Sequence, residues 1–82
     1  MNIYTVEFTC KCPSDNEVIS YMAKIYSDNF ILAEDLNSYV MSLKDRKIYQ
    51  EKITVILKEK YNAKKVITYG EHQNVDIECI EE

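Results

Sequence analysis

The hydrophobic period of this chain changes twice, from two to a helical three-and-four and back to two, and that double change admits few folds. From Ile3 to Cys12 the residues alternate: Tyr4, Val6, Phe8, Cys10 and Cys12 fall on one side, and Thr5, Glu7, Thr9 and Lys11 on the other. Period two in β-branched and aromatic residues marks a half-buried strand. Pro13-Ser14-Asp15-Asn16 then has turn chemistry, with a fixed φ at Pro13 and side chains that bond their own backbone. A second strand is expected over Val18–Tyr26, with Ile19, Tyr21, Ala23 and Ile25 on one face, so the pair reads as a hairpin.

Ser27-Asp28-Asn29 supplies N-cap residues, and Phe30, Ala33, Leu36, Val40 and Leu43 follow at helical spacing. Glu34 and Asp35 near the start suit the helix dipole. No glycine or proline occurs between Phe30 and Tyr61. A single helix over that stretch would be about 48 Å long, too long for a compact domain of this size. The spacing therefore predicts a break at Lys44-Asp45-Arg46, with Asp45 as a second N-cap. The second helix, Arg46–Tyr61, should bury Tyr49, Ile53, Ile56, Leu57 and Tyr61. Ile53-Thr54-Val55-Ile56 is β-prone, but its flanks are helix formers. Asn62 suits a left-handed C-cap. Strands are expected at Lys65–Tyr69 and Asn74–Ile80, with the only glycine in the turn Gly70–Gln73. The order ββααββ predicts an α+β fold, one domain over residues 1–82: a four-stranded, largely antiparallel sheet with two helices packed on one face. Strand order is not legible.

At 82 residues the chain should bury about 60–65% of the surface its unfolded form exposes. No apolar run reaches the roughly 18–20 residues that span a bilayer. Met1–Thr5 has neither a basic nor an apolar leader character, so cytoplasmic residence and no membrane are expected. Three cysteines are an odd set, which argues for reduced thiols. The abundance of Lys, Ile, Asn and Tyr fits an AT-rich genome such as that of a low-GC bacterium or its phage.

Charge is sorted into blocks. Residues 1–42 balance at −4, residues 43–65 at +5 and residues 66–82 at −5. The last block contains Glu71, Asp76, Glu78, Glu81 and Glu82 and no base. With Tyr69 these residues form a candidate partner-binding surface. The favoured reading is a small non-enzymatic protein-binding module, an adaptor or inhibitor. It would engage a larger protein or complex with a basic groove, concretely a phage protein blocking a host nucleic-acid-processing or defence complex.

Three alternatives stand beside it. Lys44, Lys47 and Lys58, with Thr54, would make a polar stripe for nucleic acid, although one arginine and an acidic total weigh against that. A structural homodimer would dock the basic helix on its twin's acidic hairpin, and Ile48 and Val55 would form an apolar patch away from the core stripe. Cys10, Cys12, Cys79 and His72 could compose a Cys₃His metal set. The cysteines lie on apolar faces, however, so buried thiols are expected and no metal or cofactor. No glycine-rich phosphate loop or nucleophile elbow is present, the lone His72 lies in a turn with only the adjacent Glu71 beside it, and Cys79 is patterned as buried, so no enzyme is expected.

Overall fold

Alternation along the chain becomes four strands, and the helical period becomes two short helices between them. The computed structural model describes residues 1–82. Its elements are β1 (Asn2–Lys11), β2 (Val18–Ser27), α1 (Ala33–Met41), α2 (Gln50–Tyr61), β3 (Lys65–His72) and β4 (Val75–Glu81). The expected α+β fold and ββααββ order are those of the structure. All neighbouring strands are antiparallel, in the order β1-β2-β3-β4. Both helices lie on one face, α1 against β1 and α2 across β2, β3 and β4. Phe8, Cys10, Ile19, Tyr21, Ala23, Ile25 and Val66 of the sheet meet Leu36 and Val40 of α1 and Ile53 and Leu57 of α2 in one apolar core. No helix is long and apolar enough to cross a membrane.

The helix starts differ from expectation, and tertiary contacts explain why. Helix α1 begins at Ala33, behind an N-cap Leu32 that has no side-chain bond. Ser27 instead uses its Oγ to accept the Asn29 N–H at 3.0 Å. The Tyr4 hydroxyl accepts the Ile31 N–H at 3.0 Å, which seats Ile31 in the core. Phe30, expected on the buried face, is thereby turned outward and is 77% exposed.

The break between the helices is longer than expected. Asp45 lies in a turn, and the residues after it run beside β1. There the Lys11 N–H donates to Arg46 O at 3.0 Å, and the Ile48 N–H donates to Lys11 O at 3.1 Å. Ile48 is buried by this strip rather than displayed on a helix, and Tyr49, expected inside, is 53% exposed. The β-prone run Ile53–Ile56 is helical, and Asn62 takes the left-handed C-cap at φ 49°.

The last hairpin also departs from the sequence expectation. Its turn is Gln73-Asn74, with φ values of 54° and 64°, the left-handed pair that a two-residue hairpin requires. Strand β3 continues through Gly70, whose role is space: a Cβ there would meet the Tyr21 ring at 2.6 Å and Gln50 Oε1 at 3.3 Å.

Gln50 uses that space. Its Nε2 donates to Ile77 O at 2.9 Å, Thr68 O at 3.1 Å and Thr68 Oγ1 at 3.2 Å. Thr54 Oγ1 donates to Gln50 O at 2.9 Å and lies 2.7 Å from Thr68 Oγ1. The first residue of α2 thus ties the helix to β3 and β4. Gln50→Ala leaves these buried groups short of a donor and is expected to cost roughly 2 kcal/mol. Urea unfolding measures the loss, and unchanged amide-exchange protection in β4 would contradict it.

Candidate functional site

Strands β1 and β3 run in the same direction, so the β1–β2 and β3–β4 turns emerge at the same end of the sheet, about two strand spacings, or ~10 Å, apart. Cys12 follows β1 directly, and His72 ends β3. The first turn is closed by the Cys12 N–H to Glu17 O at 2.8 Å and the Asn16 N–H to Cys12 O at 2.9 Å. Asn16 is left-handed at φ 65°. Within the turn, Asp15 Oδ1 accepts the Glu17 N–H at 3.0 Å, which aims the second carboxylate oxygen across the gap.

His72 meets it there. Its Nε2 is 2.8 Å from Asp15 Oδ2 and 3.0 Å from Glu17 Oε2. The Gln73 amide adds a bond to Glu17 Oε2 at 3.3 Å. Cys12 Sγ lies 3.0 Å from Ser14 Oγ. The Cys12 sulfur, an Asp15 oxygen and a His72 nitrogen all fall within 4.8 Å of one another. Cys12 is only 5% exposed, yet it borders a cavity of about 110 Å³ together with Tyr21, Tyr49, Gln50, Glu51 and His72. That space is several times the roughly 10–15 Å³ that a single water needs.

Burial disfavours the thiolate at two of the three cysteines. Burial pushes the Cys10 thiol up, and Cys10 donates to Arg46 O at 3.1 Å. Burial and then the nearby Glu51 carboxylate push the Cys79 thiol up. Both are therefore poor nucleophiles at neutral pH. Burial, and then the neighbouring thiols, push the Tyr21 hydroxyl up to about 12, so it stays a neutral donor beside the cavity.

The Glu17 N–H, and then His72, hold the Asp15 carboxyl below its ordinary value. The carboxylate is thus favoured in the folded state. Its contribution is complete above the unfolded-state pKa and is lost as pH falls through the lower folded-state pKa. Asp15→Asn is therefore expected to flatten the acid limb of stability below about pH 4. Thermal unfolding at stepped pH reads this, and an unchanged acid limb would refute it.

The sequence-derived sets fare unequally. Of the four Cys₃His candidates only Cys12 and His72 come together; Cys10 turns to Arg46, and Cys79 lies 4.0 Å from Glu51. Asp15 and Glu17 take their places, and neither was singled out. The available signal was a thiol and a carboxylate three apart in one turn, Cys12-Pro13-Ser14-Asp15. The basic stripe does not form: Lys44 and Lys47 precede α2, Lys58 lies within it, and Thr54 is 1% exposed. Nor do Ile48 and Val55 share a patch, since Ile48 is buried outside the helix.

The acidic set divides. Thr68 on β3 faces α2, so its neighbours Tyr69 and Glu71 project from the opposite, helix-free face, with Glu78 and Asp76 directly across from them. Glu7, Met22, Tyr69, Asp76 and Glu78 border an open depression there of about 820 Å³. Glu81 pairs with the core residue Val66 and so lies on the helix side, and Glu82 is 3.6 Å from Lys65.

No protein-family model matches the chain, and neither does any curated protein. Among solved structures it is similar to the apo form of the archaeosine synthase QueF-Like, at TM-score 0.71 and 19% identity, over 98% of this chain and 89% of that one. The likeness is one of fold. An enzyme uses this fold, and that corrects the expectation of a non-enzymatic adaptor or inhibitor acting through an acidic hairpin. By sequence His72 has no acid–base partner, because two hairpin turns 57 residues apart are brought side by side only by the sheet.

Proposed function

We propose that the chain is a cysteine-dependent enzyme acting on a nucleobase or nucleoside, with Cys12 as the nucleophile. The observation that carries this reading is the convergence of Cys12, Asp15 and His72 within 4.8 Å at a cavity. A thiol becomes a nucleophile when a neighbouring base takes its proton. Here the Asp15–His72 pair is the acceptor: Cys12 Sγ bonds an electrophilic carbon of the substrate as its proton passes to the pair. The pair then returns a proton to the atom that gains electron density. Tyr21, neutral and beside the cavity, supplies a donor to that atom. Support for a nucleobase comes from the likeness in fold to a protein named as an archaeosine synthase.

A chloropurine probes both parts of the reading. The Cys12 sulfur displaces chloride, forming a thioether, and the thiol proton leaves through the Asp15–His72 pair. Intact-mass analysis and peptide mapping should find one adduct, on Cys12. Labelling spread evenly over Cys10, Cys12 and Cys79, or no faster than that of a free thiol, would overturn the proposal.

A further inference from the structure

The same two turns hold a donor set with a second chemistry. Cys12 Sγ, an Asp15 oxygen and a His72 nitrogen lie within 4.8 Å of one another, and Glu17 Oε2, 3.0 Å from His72 Nε2, stands next to them as a fourth donor. We propose that these residues form a reversible Zn²⁺ site that shuts off Cys12.

The geometry needs little change. Tetrahedral zinc with bonds of about 2.0–2.3 Å places neighbouring ligand atoms about 3.3–3.7 Å apart. His72 Nε2 now stands 2.8 Å and 3.0 Å from the two carboxylate oxygens, so those contacts open by a few tenths of an ångström. The sulfur lies within 4.8 Å of both the Asp15 and His72 donors, so it has at most about 1.5 Å to close. Both moves are within reach of side chains on two turns. The carboxylate is already oriented, because Asp15 Oδ1 accepts the Glu17 N–H at 3.0 Å and turns Oδ2 towards His72 Nε2. Outer-shell bonds of this kind are what fix ligands in zinc sites.

On binding, the Sγ–Zn bond replaces Sγ–H and that proton goes to solvent. The hydrogen that His72 Nε2 shares with the carboxylates also goes to solvent while Nδ1 carries one, so the neutral ring presents its Nε2 lone pair. Once Glu17 swings in as the fourth ligand the site is closed, and closed sites are structural rather than catalytic. Zinc therefore occupies the nucleophile instead of activating it. Binding stands on the donor geometry alone, whereas the inhibitory consequence rests on the reading of Cys12 as nucleophile.

Two measurements on the full chain separate these. Cobalt(II) titration should give the visible spectrum of tetrahedral thiolate-bound cobalt, displaced stoichiometrically by zinc. Cys12→Ser should abolish the sulfur-to-cobalt band, and His72→Gln or Asp15→Asn should weaken zinc binding about 100-fold. Cys10→Ser, Cys79→Ser and Glu78→Gln should bind as the parent chain does, which excludes the other two thiols and the acidic face. Zinc should also suppress chloropurine labelling of Cys12, with recovery on adding a chelator. Absence of a cobalt–sulfur band, or zinc affinity unaltered in Cys12→Ser and His72→Gln, would overturn the site. Labelling of Cys12 in metal-free protein is read separately, so failure of the zinc site leaves the nucleophile reading standing, and the reverse also holds.

Discussion

Cys12→Ala is expected to lose chloropurine adduct formation completely, while His72→Gln and Asp15→Asn slow it by roughly 10²–10⁴-fold, the range of general acid–base catalysis. The asymmetry follows from the geometry. Removing the sulfur removes the bond-forming atom. Removing one member of the proton-accepting pair leaves the thiol in place, bonded to Ser14 and beside the cavity. Gln at position 72 retains hydrogen bonding to Asp15 and Glu17 but cannot carry the proton, so the turns stay joined while the chemistry slows. Unperturbed thermal unfolding of His72→Gln would distinguish this from disruption of the turns. Cys79→Ser should label at the parental rate, because that thiol is disfavoured as a thiolate by burial and by Glu51. Equal labelling rates in Cys12→Ala and the parent chain would refute the assignment outright.

Gly70→Ala is expected to destabilise the fold by about 2–3 kcal/mol, towards the upper end of the usual cost of overpacking. For a chain this small that lowers Tm by roughly 10–20 °C. Gly70 has no left-handed φ, so backbone strain is not the cause. The cost is steric. The new methyl would sit 2.6 Å and 2.7 Å from Tyr21 ring carbons, and that ring is buried, its centroid 5.6 Å from that of Phe8 at a tilt of 31°. The ring cannot move without disturbing Phe8 or the Gln50 amide above β3. Replacing the ring tests the cause: in a double-mutant cycle Gly70→Ala should cost far less on a Tyr21→Leu background. Strict additivity of the two substitutions would contradict the steric account. Calorimetry or chemical unfolding suffices.

Much of the local structure was legible from the residues. Alternation placed β1 and β2 almost to the residue, because one face of a strand pairs with the core and the other does not. The helical period identified α2 despite its β-prone centre, and Asn62 announced its own cap. Errors gathered where a distant partner decides. Phe30 fits a helix face by spacing, but the Tyr4 hydroxyl claims the Ile31 N–H and the helix starts later. Asp45 is a good N-cap residue, yet Arg46 and Ile48 pair with Lys11 and hold the next residues extended. Gly70 looked like turn chemistry, whereas Gln73 and Asn74 make the turn and Gly70 makes room for Tyr21.

The site was half legible for the same reason. Cys12 and His72 were visible as candidates, but as members of a metal set with Cys10 and Cys79. Nothing within the first hairpin indicated that Asp15 and Glu17 would meet a histidine from the other end of the chain. By itself, the sequence determined the class of fold, the two hairpins, the helical pair and the reduced state expected of the thiols. These depend on period, propensity and turn chemistry, which act over a few residues. Only the tertiary structure decided the strand order β1-β2-β3-β4. That order puts both hairpin turns at one end of the sheet, and it results from pairing β2 with β3 across the whole helical segment. Long-range pairing of that kind is settled by packing of the assembled core, so the meeting of Cys12, Asp15 and His72 emerges only when the fold is complete.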